Sequence, residues 1–206
     1  ASTGVAIGPF GTNTRTINSG ENWQVLSSNT TINHLFGSHF TASETGYAVG
    51  MKGTILKTTN AGLTWELLQK ITNKGFYDIT FTDSNTGFAC GECGIILKTS
   101  DTGNTWDSLQ TNTTQFLYKL LFIDTLIGYA MSDHILIKTN NAGLSWEIIS
   151  LPQSFIAYSF SFTNKNIGYV SGDNGNLIKT EDGGLTWTFL NHSIAGSILS
   201  VYFTSD

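Results

Sequence analysis

One arginine, Arg15, stands in 206 residues, and the ten basic residues are scattered singly, so no basic patch is present to meet a phosphate backbone. No nucleic-acid partner is expected. Charge is sparse altogether, at 12% of residues with a net −5. No apolar run approaches the roughly 20 residues that span a bilayer, and the N-terminus lacks a charged segment followed by an apolar stretch. The chain reads as soluble and mature, with no membrane span. Two cysteines, Cys90 and Cys93, are too few for a disulfide framework, and are read as a local disulfide or two free thiols.

Helix formers are few, whereas Gly, Asn, Thr and Ser abound, a composition suited to short strands joined by tight turns. With 40% hydrophobic residues there is ample material for a core. Few Lys and Arg beside many Thr and Asn is the balance of secreted proteins, which points to an extracellular or periplasmic location. Sequons begin at Asn29, Asn112 and Asn191, a number that chance supplies in so Asn- and Thr-rich a chain.

What the chain does have is a repeat. Trp23, Trp65, Trp106, Trp146 and Trp187 are spaced by 42, 41, 40 and 41 residues, and each ends the phrase Thr-x-Asn/Asp-x-Gly-x-x-Trp. Its third position holds Asn18, Asn60, Asp101, Asn141 and Asp182, and its glycine is Gly20, Gly62, Gly103, Gly143 and Gly184. A second phrase, Gly-aromatic-Ala, precedes it at Gly46, Gly87 and Gly128, with Gly168-Tyr169-Val170 and Gly4-Val5-Ala6 as variants. Before that comes an alternating segment ending in Phe, over residues 35–40, 76–81, 117–122, 157–162 and 198–203. Each copy of about 41 residues therefore reads as four short strands: A ending in Phe, B at Gly-Tyr-Ala, C at the Lys-Thr run, and D from the Trp. Four-stranded sheets at this period are propeller blades. The expectation is a single all-β domain over residues 1–206, a five-bladed propeller of antiparallel blades, closed by pairing of Ile198–Phe203 with Gly4–Gly8. The alternative is a stretch of a longer array.

The Thr-to-Trp phrase must turn the chain by about 180 degrees. Glycine supplies the positive φ, the Asn or Asp side chain accepts from backbone N–H groups across the turn, and Trp packs on the neighbouring sheet. This phrase resembles the Asp box, or bacterial neuraminidase repeat, whose pattern is Ser/Thr-x-Asp-x-Gly-x-Thr-Trp. Asn18, Asn60 and Asn141 depart at the Asp position, and Asn22 and Ser145 depart at the second Thr; both changes keep a short polar side chain. With the Gly-Tyr-Ala phrase and Lys-Thr before the box, the whole chain is similar to propellers of the photosystem II stability and assembly factor-like kind. That resemblance implies a chaperone or scaffold role. Asp boxes also occur in sialidases, other glycoside hydrolases and sorting receptors, so the motif marks a turn rather than a reaction.

A sialidase-like site needs three arginines to clamp a carboxylate, which one arginine cannot supply; Arg15 occupies the register of Lys57, Lys98, Lys138 and Lys179. A glycosidase needs two carboxylates across a cleft. Most acids here fall on repeat positions: Asp83 and Asp124 in the A–B turn, Asp101 and Asp182 in the box, and Glu66, Asp107 and Glu147 after the Trp. Asp78 is the exception, read as an inter-blade ion pair with Lys119. Cys90, Cys93, Asp133 and His134 sit in matching hairpins of adjacent copies, but one Cys-x-x-Cys is a weak metal signal; no metal and no cofactor are expected. His34, His39 and His192 have no evident partner set, and the tryptophans are assigned to core packing rather than sugar stacking.

The B–C turns and D–A connections differ strongly between copies, whereas the A–B turns and boxes are nearly invariant. The candidate binding residues are therefore the variable turn residues Phe10, Met51, Lys52, Glu92, Asp133, His134, Asp173 and Asn174, with tolerant hairpin tips as the plain alternative. The chain is expected to be a non-enzymatic scaffold that binds a protein, as a monomer or part of a larger chain. The rival reading is a lectin-like, glycan-binding module or a non-catalytic part of a glycoside hydrolase.

Overall fold

A computed structural model describes residues 2–26, 30–152 and 156–203. Five antiparallel sheets follow one another along the chain, an arrangement consistent with a five-bladed propeller. The first contains β1 (Gly4–Ile7), β2 (Asn13–Thr16) and β3 (Gln24–Leu26); the second, β4 (Leu35–Phe40), β5 (Gly46–Gly50), β6 (Thr54–Thr58) and β7 (Glu66–Leu67). The third contains β8 (Phe76–Phe81), β9 (Gly87–Gly91), β10 (Ile96–Thr99) and β11 (Asp107–Leu109). The fourth holds β12 (Lys119–Phe122), β13 (Gly128–Met131), β14 (Ile135–Thr139) and β15 (Glu147–Ser150). The fifth has β16 (Ala157–Phe162), β17 (Gly168–Gly172), β18 (Leu177–Thr180) and β19 (Thr188–Phe189). Each is a simple meander, because every connection is short enough for a hairpin. None of the described residues forms a helix long and apolar enough to cross a membrane.

The expected pairing of residues 198–203 with β1 is absent among the described residues. The first sheet has three strands, β1 is its edge, and 198–203 form no strand. That segment is held from the other side instead: the Ile198 amide donates to the Gly172 carbonyl at 2.8 Å, and Phe203 stacks on Tyr169 at 4.3 Å.

The Thr-to-Trp turns are built alike. In the third sheet, Thr99 Oγ1 donates to Asp101 Oδ1 at 2.8 Å and accepts from the Gly103 amide at 2.9 Å, while Asp101 Oδ1 accepts from the Thr105 amide at 2.9 Å. Asn serves in place of Asp because only one oxygen is needed: Asn60 and Asn141 accept the same amide bonds from Thr64 and Ser145, at 2.9 Å each. The residue before each glycine is left-handed (Ser19, Ala61, Thr102, Ala142 and Gly183), which points its carbonyl out of the turn.

Those carbonyls weld neighbouring sheets. Arg15 Nε donates to Ala61 O, and the Lys57, Lys98 and Lys138 ammonium groups donate to the carbonyls of Thr102, Ala142 and Gly183, at 2.7–3.0 Å. The Tyr47 and Tyr129 hydroxyls reach the Thr102 and Gly183 carbonyls at 2.6 and 3.0 Å. Beneath lies an aromatic sandwich. Phe81, Phe122 and Phe162 each stack on the B-strand aromatic of the preceding sheet (Tyr47, Phe88 and Tyr129, at 4.0–4.3 Å) and meet the Trp of their own sheet edge-on. Each also lies flat on the glycine opposite it. A Cβ on Gly87 would stand 2.6 Å from the Phe81 ring, so no other residue fits.

The tryptophans are consequently unequal. Trp106 and Trp146 are buried, Trp65 and Trp187 are partly so, and Trp23 is 50% exposed because no Phe covers it. Core packing holds for four of the five.

Candidate functional site

The two faces expected from the sequence are present. Box and A–B turn share one face, through bonds such as the Thr102 amide to Asn85 O at 3.0 Å and the Ala142 amide to Leu126 O at 2.9 Å. B–C turn and D–A connection share the other, where Thr111 Oγ1 donates to Gly94 O at 2.7 Å.

On that second face the structure assembles a feature the sequence reading passed over. Phe10, in the first B–C turn, lies 4.8 Å from the His34 ring; His34 lies 6.4 Å from Phe36; Phe36 is 5.4 Å from Tyr77; and Tyr77 is 5.6 Å from Tyr118 and 6.2 Å from Phe116. Four sheets thus contribute to one continuous arc of rings. Phe10 (73%), Phe36, Phe116 and Tyr118 are exposed, and Tyr158 stands exposed in the matching register of the fifth sheet.

The backbone presents these rings on purpose. Pairing of β4 with β5 shifts register between Leu35 and Gly37, that of β8 with β9 between Phe76 and Asp78, and that of β16 with β17 between Ala157 and Ser159. Phe36, Tyr77 and Tyr158 are therefore the extra residues of three β-bulges, a device that re-aims a side chain out of the sheet. A contiguous exposed apolar surface of this kind marks an interaction site.

Acidic turn residues border the arc. Burial raises the Tyr77 phenol pKa, with Glu92 and Cys93 adding to the rise. Burial also raises that of Tyr118, reinforced by the charge of Asp133. Glu92 and Asp173 have a structural task as well. Glu92 Oε2 accepts from the Gly75 amide at 2.8 Å and Asp173 Oδ1 from the Ile156 amide at 2.9 Å, each holding the segment that enters the bulged strand.

The other turn residues are more dispersed. Met51 is exposed near Gly75, 3.5 Å from Met51 Cα to a Cβ built there. Lys52 and Asn174 project from left-handed turn tips at φ 56 and 51. His134 instead lines a separate cleft of about 400 Å³ with Ile135, Ser150 and Leu151. The expected site thus divides: Phe10 joins the arc, Glu92 and Asp133 flank it, and His134 lies apart.

One expectation needs correcting. Asp78 and Lys119 do not form an ion pair within 4.0 Å; among the described residues the one ion pair is Lys179 with Glu181 at 2.5 Å. Lys119 Nζ turns to Ser159 Oγ and Phe160 O in the next sheet, at 3.0 and 3.3 Å. Asp78 Oδ2 bridges sheets differently, accepting from the Leu120 amide at 2.8 Å, and burial lifts its pKa to about 6. The cysteines are both free: Cys90 is buried with its thiol donating to Leu117 O, and Cys93 is exposed at a turn tip. Among the described residues no three His, Cys, Asp or Glu side chains are arranged to hold a metal ion.

Comparison with solved structures shows the same fold in several settings, all at low identity. An ancestral GH74 enzyme matches 96% of this chain with a TM-score of 0.80 at 17% identity, and this chain spans 30% of that one. YCF48 bound to D1 peptide matches 91% of this chain with a TM-score of 0.60 at 18% identity, covering 78% of its own length. YCF48 from Cyanidioschyzon merolae matches 88% with a TM-score of 0.67 at 16% identity, covering 66% of its own length. No curated protein sequence matches. The sequence model of the family described as photosynthesis system II assembly factor YCF48 matches residues 14–115, 64–155 and 138–205, which together take in almost the whole chain, and the protein belongs to that BNR-repeat family.

Proposed function

We propose that this protein is a non-enzymatic scaffold that holds an extended protein segment on the aromatic arc of its variable face. The observation that carries the reading is the arc itself, from Phe10 through Phe36 and Tyr77 to Tyr118, with bulges presenting two of its members. Aromatic side chains supply much of the energy of protein interfaces at small entropic cost. The borders differ from sheet to sheet: Met51 beside His34, Glu92 beside Tyr77, and Asp133 beside Tyr118. Such inequality suits one asymmetric ligand. Membership of the YCF48 family, one of whose structures is of YCF48 bound to D1 peptide, supports a protein segment as that ligand. The sparse Lys and Arg support a place of action outside the cytoplasm.

A second reading, carbohydrate binding, draws on the same surface. Rings at one register in successive sheets are what stacked sugars would use, and GH74 enzymes share the fold. The residues next in sequence, Gly37, Asp78, Lys119 and Ser159, are not repeated, which favours the protein ligand. A peptide array and a glycan array probed in parallel with the folded chain and with Tyr77→Ala/Tyr118→Ala test the choice. Saturable peptide binding lost in the double variant supports the scaffold reading; glycan binding lost in it moves the assignment to a lectin.

A further inference from the structure

The junction between the first and second sheets lacks a ring that the later ones have. Tyr47, Phe88, Tyr129 and Tyr169 of strand B stack at 4.0–4.3 Å on the strand-A residues Phe81, Phe122, Phe162 and Phe203. In the first sheet the strand-B position is Val5, which packs on the box glycine of the next sheet as Tyr47 does. A Cβ on Gly62 would stand 2.6 Å from Val5 Cγ2, and one on Gly103 would stand 2.7 Å from Tyr47 Cε1. Two methyl groups do not reach as far as a ring. Phe40 lies flat on Gly46 and meets Trp65 edge-on at 6.3 Å, but among the described residues no ring stacks on its other face. A cleft of about 250 Å³ opens there, bounded by Val5, Phe40, Ala42 and Ala61. It exceeds the roughly 150 Å³ that suffices for an apolar cavity to take up benzene.

The surroundings of the cleft are those of a buried tyrosine. At later junctions the Tyr47 hydroxyl donates to Thr102 O at 2.6 Å and the Tyr129 hydroxyl to Gly183 O at 3.0 Å. Each of those carbonyls also accepts from a strand-C lysine, Lys57 at 2.7 Å and Lys138 at 3.0 Å. Ala61 O is the corresponding carbonyl of the first junction. It accepts from Arg15 Nε at 2.8 Å, and its second lone pair is open to one more donor. The strand-C ammonium groups stand 5.4–5.6 Å from the centres of the Tyr47, Phe88 and Tyr129 rings. Arg15 pairs with Val5 in the register that Lys57 shares with Tyr47, which places a guanidinium where it can lie over a ring.

We propose that this cleft, on the face opposite the aromatic arc, is a binding site for a small free phenol. The ring stacks on the open face of Phe40 beneath Arg15, and the hydroxyl donates to the Ala61 carbonyl. The cleft holds about one substituted ring. The turns around it recur in every sheet, so what sets this site apart lies within the cleft itself, and that suits a small molecule better than a protein segment.

The test is titration of the folded chain with p-cresol, toluene and N-acetyltyrosinamide, followed by amide NMR. p-Cresol should bind saturably with a Kd on the order of 1 mM, shifting the amides of Phe40, Ala42 and Ala61. Toluene, which leaves the carbonyl unpaired, should bind at least about fivefold more weakly. Val5→Tyr supplies the phenol from the chain itself; it should unfold at a higher temperature and bind p-cresol at least about tenfold more weakly. Absence of saturable p-cresol binding, or binding undiminished in folded Val5→Tyr, overturns the proposal. Toluene binding as tightly as p-cresol denies recognition of the hydroxyl and overturns it too. Tighter binding of N-acetyltyrosinamide than of p-cresol replaces the free phenol with a tyrosine side chain as occupant. The ligand series needs no substitution, so it decides the matter even where Val5→Tyr fails to fold.

Discussion

Asp78 offers a sharp test of how the sheets are joined. Its carboxylate accepts the Ile79 amide at 2.9 Å and, across the sheet boundary, the Leu120 amide at 2.8 Å. Burial is the largest influence on it and outweighs both bonds and the nearby Lys119 charge, raising the pKa from 3.8 to about 6. A folded-state pKa above the unfolded one means that between about pH 4 and 6 the native state binds more protons than the unfolded state. Stability must then fall as pH rises through that window and level off above it. A shift of about two units corresponds to roughly 3 kcal/mol, and partial solvent access brings the expected change to about 2 kcal/mol. Asp78→Asn keeps a neutral group at the site. It loses one of two acceptors, a constant cost of about 1–3 kcal/mol, but carries no proton linkage. Urea unfolding of both proteins from pH 4 to pH 8 isolates the difference. His39, whose pKa burial lowers, and the exposed carboxylates titrate in both chains and cancel. The stability of the variant relative to the parent should rise by about 2 kcal/mol between pH 4 and 7. A difference that does not change with pH refutes the assignment of a buried, inter-sheet carboxylate.

Other outcomes follow from the same contacts. Thr99→Val strands the buried Gly103 amide and should cost about 1–3 kcal/mol in urea unfolding. Lys98→Met removes the bond to Ala142 O and the ammonium above the Phe88 ring, at an expected cost of about 1–2 kcal/mol. Val5 stands where other copies carry an aromatic, and beside Phe40 it leaves a cleft of about 250 Å³; Val5→Phe should fill it and raise stability by about 1 kcal/mol in thermal unfolding. Tyr77→Ala/Tyr118→Ala should weaken ligand binding by about 30-fold or more in titration calorimetry while changing the unfolding midpoint far less, because Tyr118 is exposed and Tyr77 only half-buried.

Much of the fold was legible because the fold's demands repeat. A Trp every 41 or so residues, a glycine where a Phe ring must lie flat, and a Thr that serves one amide and one carboxylate each leave the same letters in every copy. Apart from residues 198–203, which form no strand, strand positions followed to within two residues; the A strand expected over residues 117–122 begins only at Lys119. The arc was missed for a physical reason. A β-bulge inserts one residue into the period-two alternation, so Phe36, Tyr77 and Tyr158 read as further members of an apolar strand. Their common signal is visible afterwards: an aromatic directly after the first apolar residue of strand A in four copies. Asp78 was recognised as the odd residue in its register, but sequence cannot distinguish an oxygen that meets a lysine from one that meets a backbone amide.

The strain at the turn tips separates what the fold requires from what the side chains are for. Phe10, Lys52, Cys93 and Asn174 occupy one position, at φ 51 to 56, followed in each case by a glycine packed against the D–A connection. A left-handed conformation costs an ordinary side chain about 1–2 kcal/mol, a cost Gly avoids and Asn reduces. Asn174 is therefore the relaxed case, while Phe10, Lys52 and Cys93 hold the same backbone at a penalty that their side chains do nothing in the turn to offset. Replacement by Gly should thus raise stability by up to about 1 kcal/mol for Phe10→Gly and Lys52→Gly, after the extra chain entropy of Gly is counted, and hardly at all for Asn174→Gly. If Phe10→Gly stabilises the fold and weakens ligand binding together, the ring is kept at this strained position for recognition. If it destabilises the fold instead, Phe10 is packing material for His34, and the arc begins at Phe36.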